Sequence, residues 1–315
     1  SFKLAPKQGE MEKLEIMDEF RDFILSFVDT SVFKPFKVAV DAGNGMAGKI
    51  VPEVFKGLPI EIVPMYFDLD GSFPNHLANP LIPENTQALR KLVAEDDTID
   101  FGAAFDGDAD RLFLVDGKGN LVDSSLTAAM VSKAILEKNP GSAITYNIIC
   151  SKTVRETIAA SGGNPELTPV GHAIIKPLMR EKNAIFGGEH SGHFYFRDFW
   201  FADSAILTFM YVLELLSKAG KPLDAILSEM DTYVRSGEIN TTVEDREGTL
   251  ENIKKAFTTD NVKPVLLDGV TFYFDDYWFN VRPSNTEPLI RLNLEANNRE
   301  LMEQKRDEVL SIIRS

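Results

Sequence analysis

The sequence is poor in the residues that build covalent or soft-metal scaffolds. Its 315 residues hold one cysteine, Cys150, and four histidines. One thiol cannot close an internal disulfide, and a reducing, cytoplasmic home is the expectation. Basic residues are scarce too: 33 Lys and Arg against 48 Asp and Glu give a formal net charge of −15. That balance argues against non-specific nucleic-acid binding, which needs a basic face. It leaves room for a small anionic ligand, because a few local Arg and Lys residues can hold one. No apolar run nears the ~18 residues of a membrane span, and the start carries no signal-peptide pattern, so no membrane partner is expected. Ser1 stands where an initiator Met is expected, which reads as a cut chain.

What is present is a hydrophobic share of 44%, enough for two or three domains with cores of their own. Phe20, Phe23, Ile24 and Phe27 give the lead-in, residues 1–35, one amphipathic helix. Strands at 37–40, 60–67 and 101–105 then alternate with helices at 49–56 and 84–94. Residues 112–115 and 121–122 flank a hairpin-type turn, Asp116–Asn120. A second set places strands at 143–149, 166–170 and 184–186, and helices at 126–137, 152–160, 174–180 and 202–217. A turn at Ser236-Gly237 is read as opening a third unit, with strands at 239–243, 269–274, 278–281 and 289–294 and helices at 250–257 and 299–313. The fold class is therefore α/β. Two α/β domains with mostly parallel sheets, 1–120 and 121–235, precede a smaller α+β domain, 236–315, with a sheet covered on one side.

Phe105-Asp106-Gly107-Asp108-Ala109-Asp110-Arg111 is the most informative stretch. In an extended segment, side chains two apart share a face. The three carboxylates then converge and repel unless a cation sits among them. Oxygen-only ligands suit a hard ion, Mg²⁺ first. The apolar strand before the turn places it at a strand's carboxyl end, where α/β sheets bind ligands. The plain alternative is a solvated Asp/Gly turn. An EF-hand loop would want Gly at Arg111 and Glu at Gly117, so it is excluded.

Gly43, Gly45 and Gly48 match a dinucleotide-binding glycine spacing, but no acidic residue closes the following strand, so a tight strand-to-helix turn is preferred. Gly187-Gly188-Glu189-His190-Ser191-Gly192-His193 offers an acceptor, a hydroxyl and imidazoles from one loop, which suits sugar hydroxyls. A closed zinc site is the rival, disfavoured by so few Cys and His. Val170-Gly171-His172 is a further strand-end turn that alone means little. Arg282-Pro283-Ser284-Asn285-Thr286-Glu287-Pro288 joins donors on a turn between two strands. A guanidinium fork, hydroxyls and amides make a phosphate cradle, with an ordinary Pro-flanked turn as the alternative.

Together, in this order, the four segments resemble the α-D-phosphohexomutase family, in its phosphomannomutase/phosphoglucomutase branch. The resemblance runs from about Lys37 onward. It implies an isomerase in which a phosphoserine phosphorylates a hexose phosphate, the bisphosphate reorients, and the other phosphate returns to the serine. It further implies that Asp106, Asp108 and Asp110 bind Mg²⁺ and that Arg111 steadies the phosphoserine side. Glu189 and Ser191 would grip sugar hydroxyls, with His193 supporting the loop. Arg282, Ser284, Asn285 and Thr286 would hold the non-reacting phosphate, His172 would touch substrate or assist proton transfer, and Lys152 would contact substrate. The partners implied are mannose or glucose 1- and 6-phosphates and their bisphosphate.

The sequence departs from that family in one respect. The family's first domain carries a Thr-x-Ser-His-Asn-Pro phosphoserine loop, and these 315 residues hold no such segment. The chain resembles domains two, three and four alone, inactive by itself and with a surface for docking the first domain. Two other classes stay open. A haloacid-dehalogenase-type phosphatase would use Asp106 as nucleophile, though it expects Thr or Val at Asp110. A non-catalytic sugar-phosphate-binding module would bind without turnover.

Overall fold

A computed structural model describes residues 9–284 and 287–315. The first unit opens with α1 (Met17–Leu25) and builds a sheet from β1 (Phe36–Asp41), β2 (Ile60–Met65), β3 (Phe101–Phe105) and β4 (Leu112–Val115). The strand order is β2-β1-β3-β4. The first three strands run parallel and β4 returns antiparallel to β3. Alternation along β1 sends Val38 and Val40 to one core and Ala39 to another. Helix α2 (Ala47–Phe55) packs on the first face and α3 (Gln87–Glu95) on the second.

The second unit has the helices α4 (Ser124–Lys138), α5 (Lys152–Ala160) and α6 (His172–Lys182) and the strands β5 (Ala143–Asn147), β6 (Asn164–Thr168), β7 (Phe186–Gly188), β8 (Phe194–Phe196) and β9 (Ala202–Asp203). Their order is β6-β5-β7-β8-β9, with β5, β6 and β7 parallel and β8 and β9 antiparallel. The first four of these strands repeat the order and directions of the first sheet. The two units are therefore copies of one plan, a likeness their sequences conceal. Helix α7 (Ala205–Ala219) is buried on every side, as a helix apolar all round must be. It welds the two units into one continuous core with α2 and α4.

After α8 (Leu223–Met230), the third unit has the strands β10 (Val234–Thr242), β11 (Val270–Tyr273), β12 (Tyr277–Pro283) and β13 (Leu289–Ala296), ordered β10-β13-β12-β11 and wholly antiparallel. Helices α9 (Arg246–Phe257) and α10 (Arg299–Ile313) cover one face over a separate core. The other face carries Trp278, Asn280, Asn293 and Glu295, all buried. There the Lys152 N–H donates to Glu295 Oε1 at 3.0 Å, and the Val170 N–H donates to Asp268 Oδ2 at 3.1 Å. Both contacts tie the second unit to the third.

Three expectations change. The turn read at Ser236-Gly237 lies inside β10 as a bulge: the register shifts between Arg235 and Glu238, and Gly237 takes φ +68°. The apolar run read as one helix over 202–217 begins as β9, because the Ser204 side chain caps α7 by accepting from the Leu207 N–H. The Asp106–Asp110 stretch is a tight turn and not extended, with Ala109 in the left-handed region at φ +63°.

Candidate active site

The carboxylates of the Asp106–Arg111 stretch do converge, but the turn brings them together rather than a pleat. Asp106, Asp108 and Asp110 offer oxygens that all lie within 4.8 Å of one another. Asp106 is buried, and its Oδ1 accepts from the Asp110 and Arg111 N–H groups, each at 3.1 Å. Its Oδ2 accepts from Arg111 Nε at 2.7 Å. Burial pushes the Asp106 carboxyl up to about 6 against the pull of Arg111, and the charge of Asp110 adds to the rise. Asp110 Oδ1 is buried with no hydrogen-bond partner. An orphaned carboxylate oxygen beside two further carboxylates fits a hard cation.

Neighbouring segments buttress this turn. Arg111 Nη1 reaches Asn79 Oδ1 at 3.3 Å. The Met46 N–H donates to Gly107 O at 2.9 Å. A Cβ on Gly45 would meet that same oxygen at 2.5 Å, so the glycine-rich turn after β1 allows the close approach that holds the Asp106–Arg111 turn.

The Glu189–His193 loop occupies the equivalent place in the second unit, in the β7–β8 connection. Arg111 and His193 form an antiparallel bridge, and the Leu112 N–H donates to Gly192 O at 3.2 Å. His193 then faces both loops. Its Nδ1 meets Ser191 Oγ at 2.9 Å and its Nε2 lies 3.6 Å from Asp110 Oδ1. Burial alone would lower the pKa of His193, but Asp110 and Glu189 outweigh it and hold it above its ordinary value. His193 beside Asp110 in turn holds that carboxyl below the usual range. Asp203 also comes within 4.8 Å of Asp110 and His193, although Lys176 Nζ already holds its Oδ1 at 3.2 Å.

Glu189 is placed differently from an exposed sugar ligand. It is buried, and Oε1 accepts from the Gly171 N–H at 3.0 Å and from Asn147 Nδ2 at 3.4 Å. Oε2 accepts from Tyr195 OH at 2.6 Å. The carboxylate thus pins the ends of β5, the turn before α6 and β8 together. His172 is exposed in the first turn of α6. Lys152 Nζ points into the contact with the third unit, at the Phe274 carbonyl 3.4 Å away, and is not brought to the metal or sugar loops.

In the turn that begins at Arg282, the Arg282 Nη2 donates to Glu238 Oε2 at 2.9 Å. Ser284 is buried, and its Oγ accepts from the Glu287 N–H at 3.3 Å. Arg246, at the start of α9, donates from Nη1 to Ser284 O at 2.8 Å and to Glu287 O at 3.4 Å, which cross-braces the loop. Asn285 and Thr286 lie outside the described residues. Sequence reasoning missed Asn79, Arg246 and Glu238. Each is a common residue type in an unremarkable stretch, and only the fold carries it to the site. Among the described residues no helix is long and apolar enough to cross a membrane.

Comparison with known proteins accounts for the same three units. The families described as phosphoglucomutase/phosphomannomutase alpha/beta/alpha domain II, alpha/beta/alpha domain III and C-terminal domain match residues 18–119, 123–233 and 238–312. The chain is 38% identical over 297 residues to the phosphohexose mutases of Xanthomonas campestris, covering 94% of this chain and 66% of that protein. It is 35% identical over 314 residues to the phosphomannomutase of Escherichia coli K12, covering 98% and 69%. It therefore spans about two thirds of the length of these curated relatives. A phosphoglucomutase/phosphomannomutase family protein of Burkholderia thailandensis superimposes with a TM-score of 0.85 at 31% identity, over 96% of this chain and 65% of that one. An Aspergillus fumigatus N-acetylphosphoglucosamine mutase, solved with GlcNAc-6P and magnesium, shares the fold with a TM-score of 0.68 at 13% identity, over 95% and 69%. The chain belongs to the phosphoglucomutase/phosphomannomutase family and carries that family's domains II, III and IV.

Proposed function

We propose that this chain is the metal- and sugar-phosphate-binding part of a phosphohexomutase that interconverts mannose or glucose 1- and 6-phosphates. The observation that carries the reading is the Arg111–His193 bridge, which sets a carboxylate turn and a sugar-type loop side by side. Asp106, Asp108 and Asp110 would hold Mg²⁺, with Asp108 the exposed member of the set and Asp110 Oδ1 lacking a hydrogen bond. Bound there, the ion would supply charge neutralisation for a transferring phosphoryl group. Arg111 pairs with Asp106 at 2.7 Å, which opposes the effect of burial on that carboxyl, and would offer its guanidinium to the phosphoryl donor. Ser191 and His193 present polar atoms to sugar hydroxyls, while Glu189 fixes the loop from beneath. His172 is exposed enough to reach substrate, and Arg282 and Ser284 would hold the distal phosphate.

The phosphoryl donor would be the family's phosphoserine on a first domain. Met46, Leu77, Leu81 and Ile82 are exposed apolar residues beside the metal loop and Asn79, and they suit the docking of that domain. The phosphatase alternative needs Asp106 as a free nucleophile. Both its oxygens are engaged by Arg111 and backbone N–H groups, which favours the mutase reading. The test is calorimetric titration with Mg²⁺ and glucose 1-phosphate, paired with a phosphatase assay. Binding without hydrolysis is expected; release of inorganic phosphate from the sugar phosphate would favour the alternative.

A further inference from the structure

The bulge in β10 has a functional consequence. Ser236 Oγ accepts from the Leu294 N–H at 3.0 Å, and the extra residue re-aims the following side chain. That side chain is Glu238. Its Oε2 accepts from Arg282 Nη2 at 2.9 Å and its Oε1 from Arg291 Nη1 at 3.1 Å. Arg282 and Arg291 are register partners on β12 and β13. Like charges directly opposite in a ladder are unfavourable. They are tolerated here because one carboxylate lies between them. Arg291 has a second, more distant carboxylate in Glu287, whose Oε2 lies 3.7 Å from its Nη2, whereas Arg282 is paired with Glu238, and Nε of each guanidinium is buried without a hydrogen-bond partner. The three side chains are 12%, 26% and 24% exposed for Arg282, Arg291 and Glu238, so an incoming anion can still reach them.

We infer that Glu238 is a built-in stand-in for the substrate phosphate: it holds Arg282 in place while the cradle is open, and it yields that contact to a doubly charged phosphate monoester. This rests on the reading of Arg282–Pro288 as the phosphate cradle. The chemistry gives the device a selective effect. A phosphate monoester carries up to two negative charges and three terminal oxygens, so it outcompetes a carboxylate for a guanidinium fork. A singly charged anion, such as a phosphodiester or a carboxylic acid, has no such advantage. Glu238 is therefore a specificity-determining residue that makes the cradle discriminate by charge.

The experiment is calorimetric titration of the full chain with inorganic phosphate and, separately, with dimethyl phosphate as the singly charged probe. The proteins are the wild type, Glu238→Gln, Glu238→Asp and Arg282→Lys. Glu238→Gln keeps shape and removes the charge. It should bind phosphate about threefold to tenfold more tightly, the size expected for one unit charge a few ångströms away at a half-exposed site. It should also gain measurable affinity for dimethyl phosphate, and the gain should shrink with added salt. Glu238→Asp keeps the charge but shortens its reach, and it should fall between the two. Arg282→Lys should weaken phosphate binding in the wild-type background. If Arg282→Lys weakens binding while Glu238→Gln leaves it equal or weaker, the cradle stands and the stand-in role is overturned. If Arg282→Lys changes nothing, the cradle reading falls and the stand-in role falls with it.

Discussion

Arg111 and His193 are backbone partners across two separately built sheets. Each sits in the hairpin that follows the third strand of its unit, so the repeated plan places two equivalent loops face to face. The bridge works only because Gly192 stands beside it. Gly192 takes φ +88°, and a Cβ there would lie 2.7 Å from the Phe113 ring.

Gly192→Ala should therefore act twice. Left-handed strain and the clash with Phe113 should cost about 1–3 kcal/mol of stability. Separation of the loops should weaken Mg²⁺ and sugar-phosphate binding together. Urea unfolding and calorimetry on one preparation check both. A variant with unchanged binding of both ligands would mean that the bridge does not position the site.

Asp108→Asn should remove most of the Mg²⁺ binding heat, because it takes one of three carboxylates from the turn. The measurement is a magnesium titration of the wild type and the variant at equal salt. Equal heats would place the cation elsewhere.

Much of this arrangement was legible in the sequence. The helix over 152–160 and the helix over 299–313 were read to the residue, since both show clean helical periodicity. The carboxylate turn and the Gly-rich loops stood out because their chemistry is unusual over a few residues. The three-residue strand Phe194–Phe196 is too short to show a period, and the helix Leu223–Met230 follows Lys221-Pro222 with little pattern of its own. Glu238 and Arg246 were invisible for another reason. Their roles come from register and packing, against Arg282 and Ser284 more than 30 residues away.

Glu295 offers a pH test of the contact between the second and third units. It is buried, accepts from Trp278 Nε1 at 2.8 Å and from the Lys152 N–H at 3.0 Å, and lies 3.8 Å from Arg235 Nη1. Arg235 also faces Asp123 and Asp231, so little of its charge is left for Glu295. Burial raises the Glu295 pKa above its ordinary 4.5 despite bonds from Ser151, Trp278 and Lys152. The folded chain thus holds this proton more tightly than the unfolded one. Its stabilising contribution is present on the acid side and is lost as pH rises from about 4.5 through the folded value. Glu295→Gln keeps an acceptor and should flatten that fall, leaving the protein at least as stable at neutral pH. Glu295→Ala strands two buried donors and should cost about 2 kcal/mol. Urea unfolding from pH ~4.5 to ~8 reads the difference. A wild-type-minus-Gln gap that does not change with pH would rule out the titration of Glu295.

The last expectation concerns turnover. These 315 residues hold the Asp106–Arg111, Glu189–His193 and Arg282–Pro288 segments proposed to bind a cation, a sugar and a phosphate, but no Thr-x-Ser-His-Asn-Pro segment. Mutase chemistry needs a phosphoryl donor that is regenerated in each cycle, and a binding site alone cannot supply one. A coupled assay with hexose bisphosphate activator should show no interconversion by this chain alone. Adding the first domain of a relative as a separate polypeptide should restore activity in proportion to docking, since interfaces between domains resemble transient protein–protein contacts. Replacing exposed Leu77 and Leu81 with Asp should abolish that rescue while leaving Mg²⁺ binding intact, because both stand two residues from Asn79, which accepts from Arg111, and neither belongs to the carboxylate cluster. Clear turnover by the chain alone would overturn this account. The search for a nucleophile would then begin at Asp106, whose carboxylate would first have to be released from Arg111.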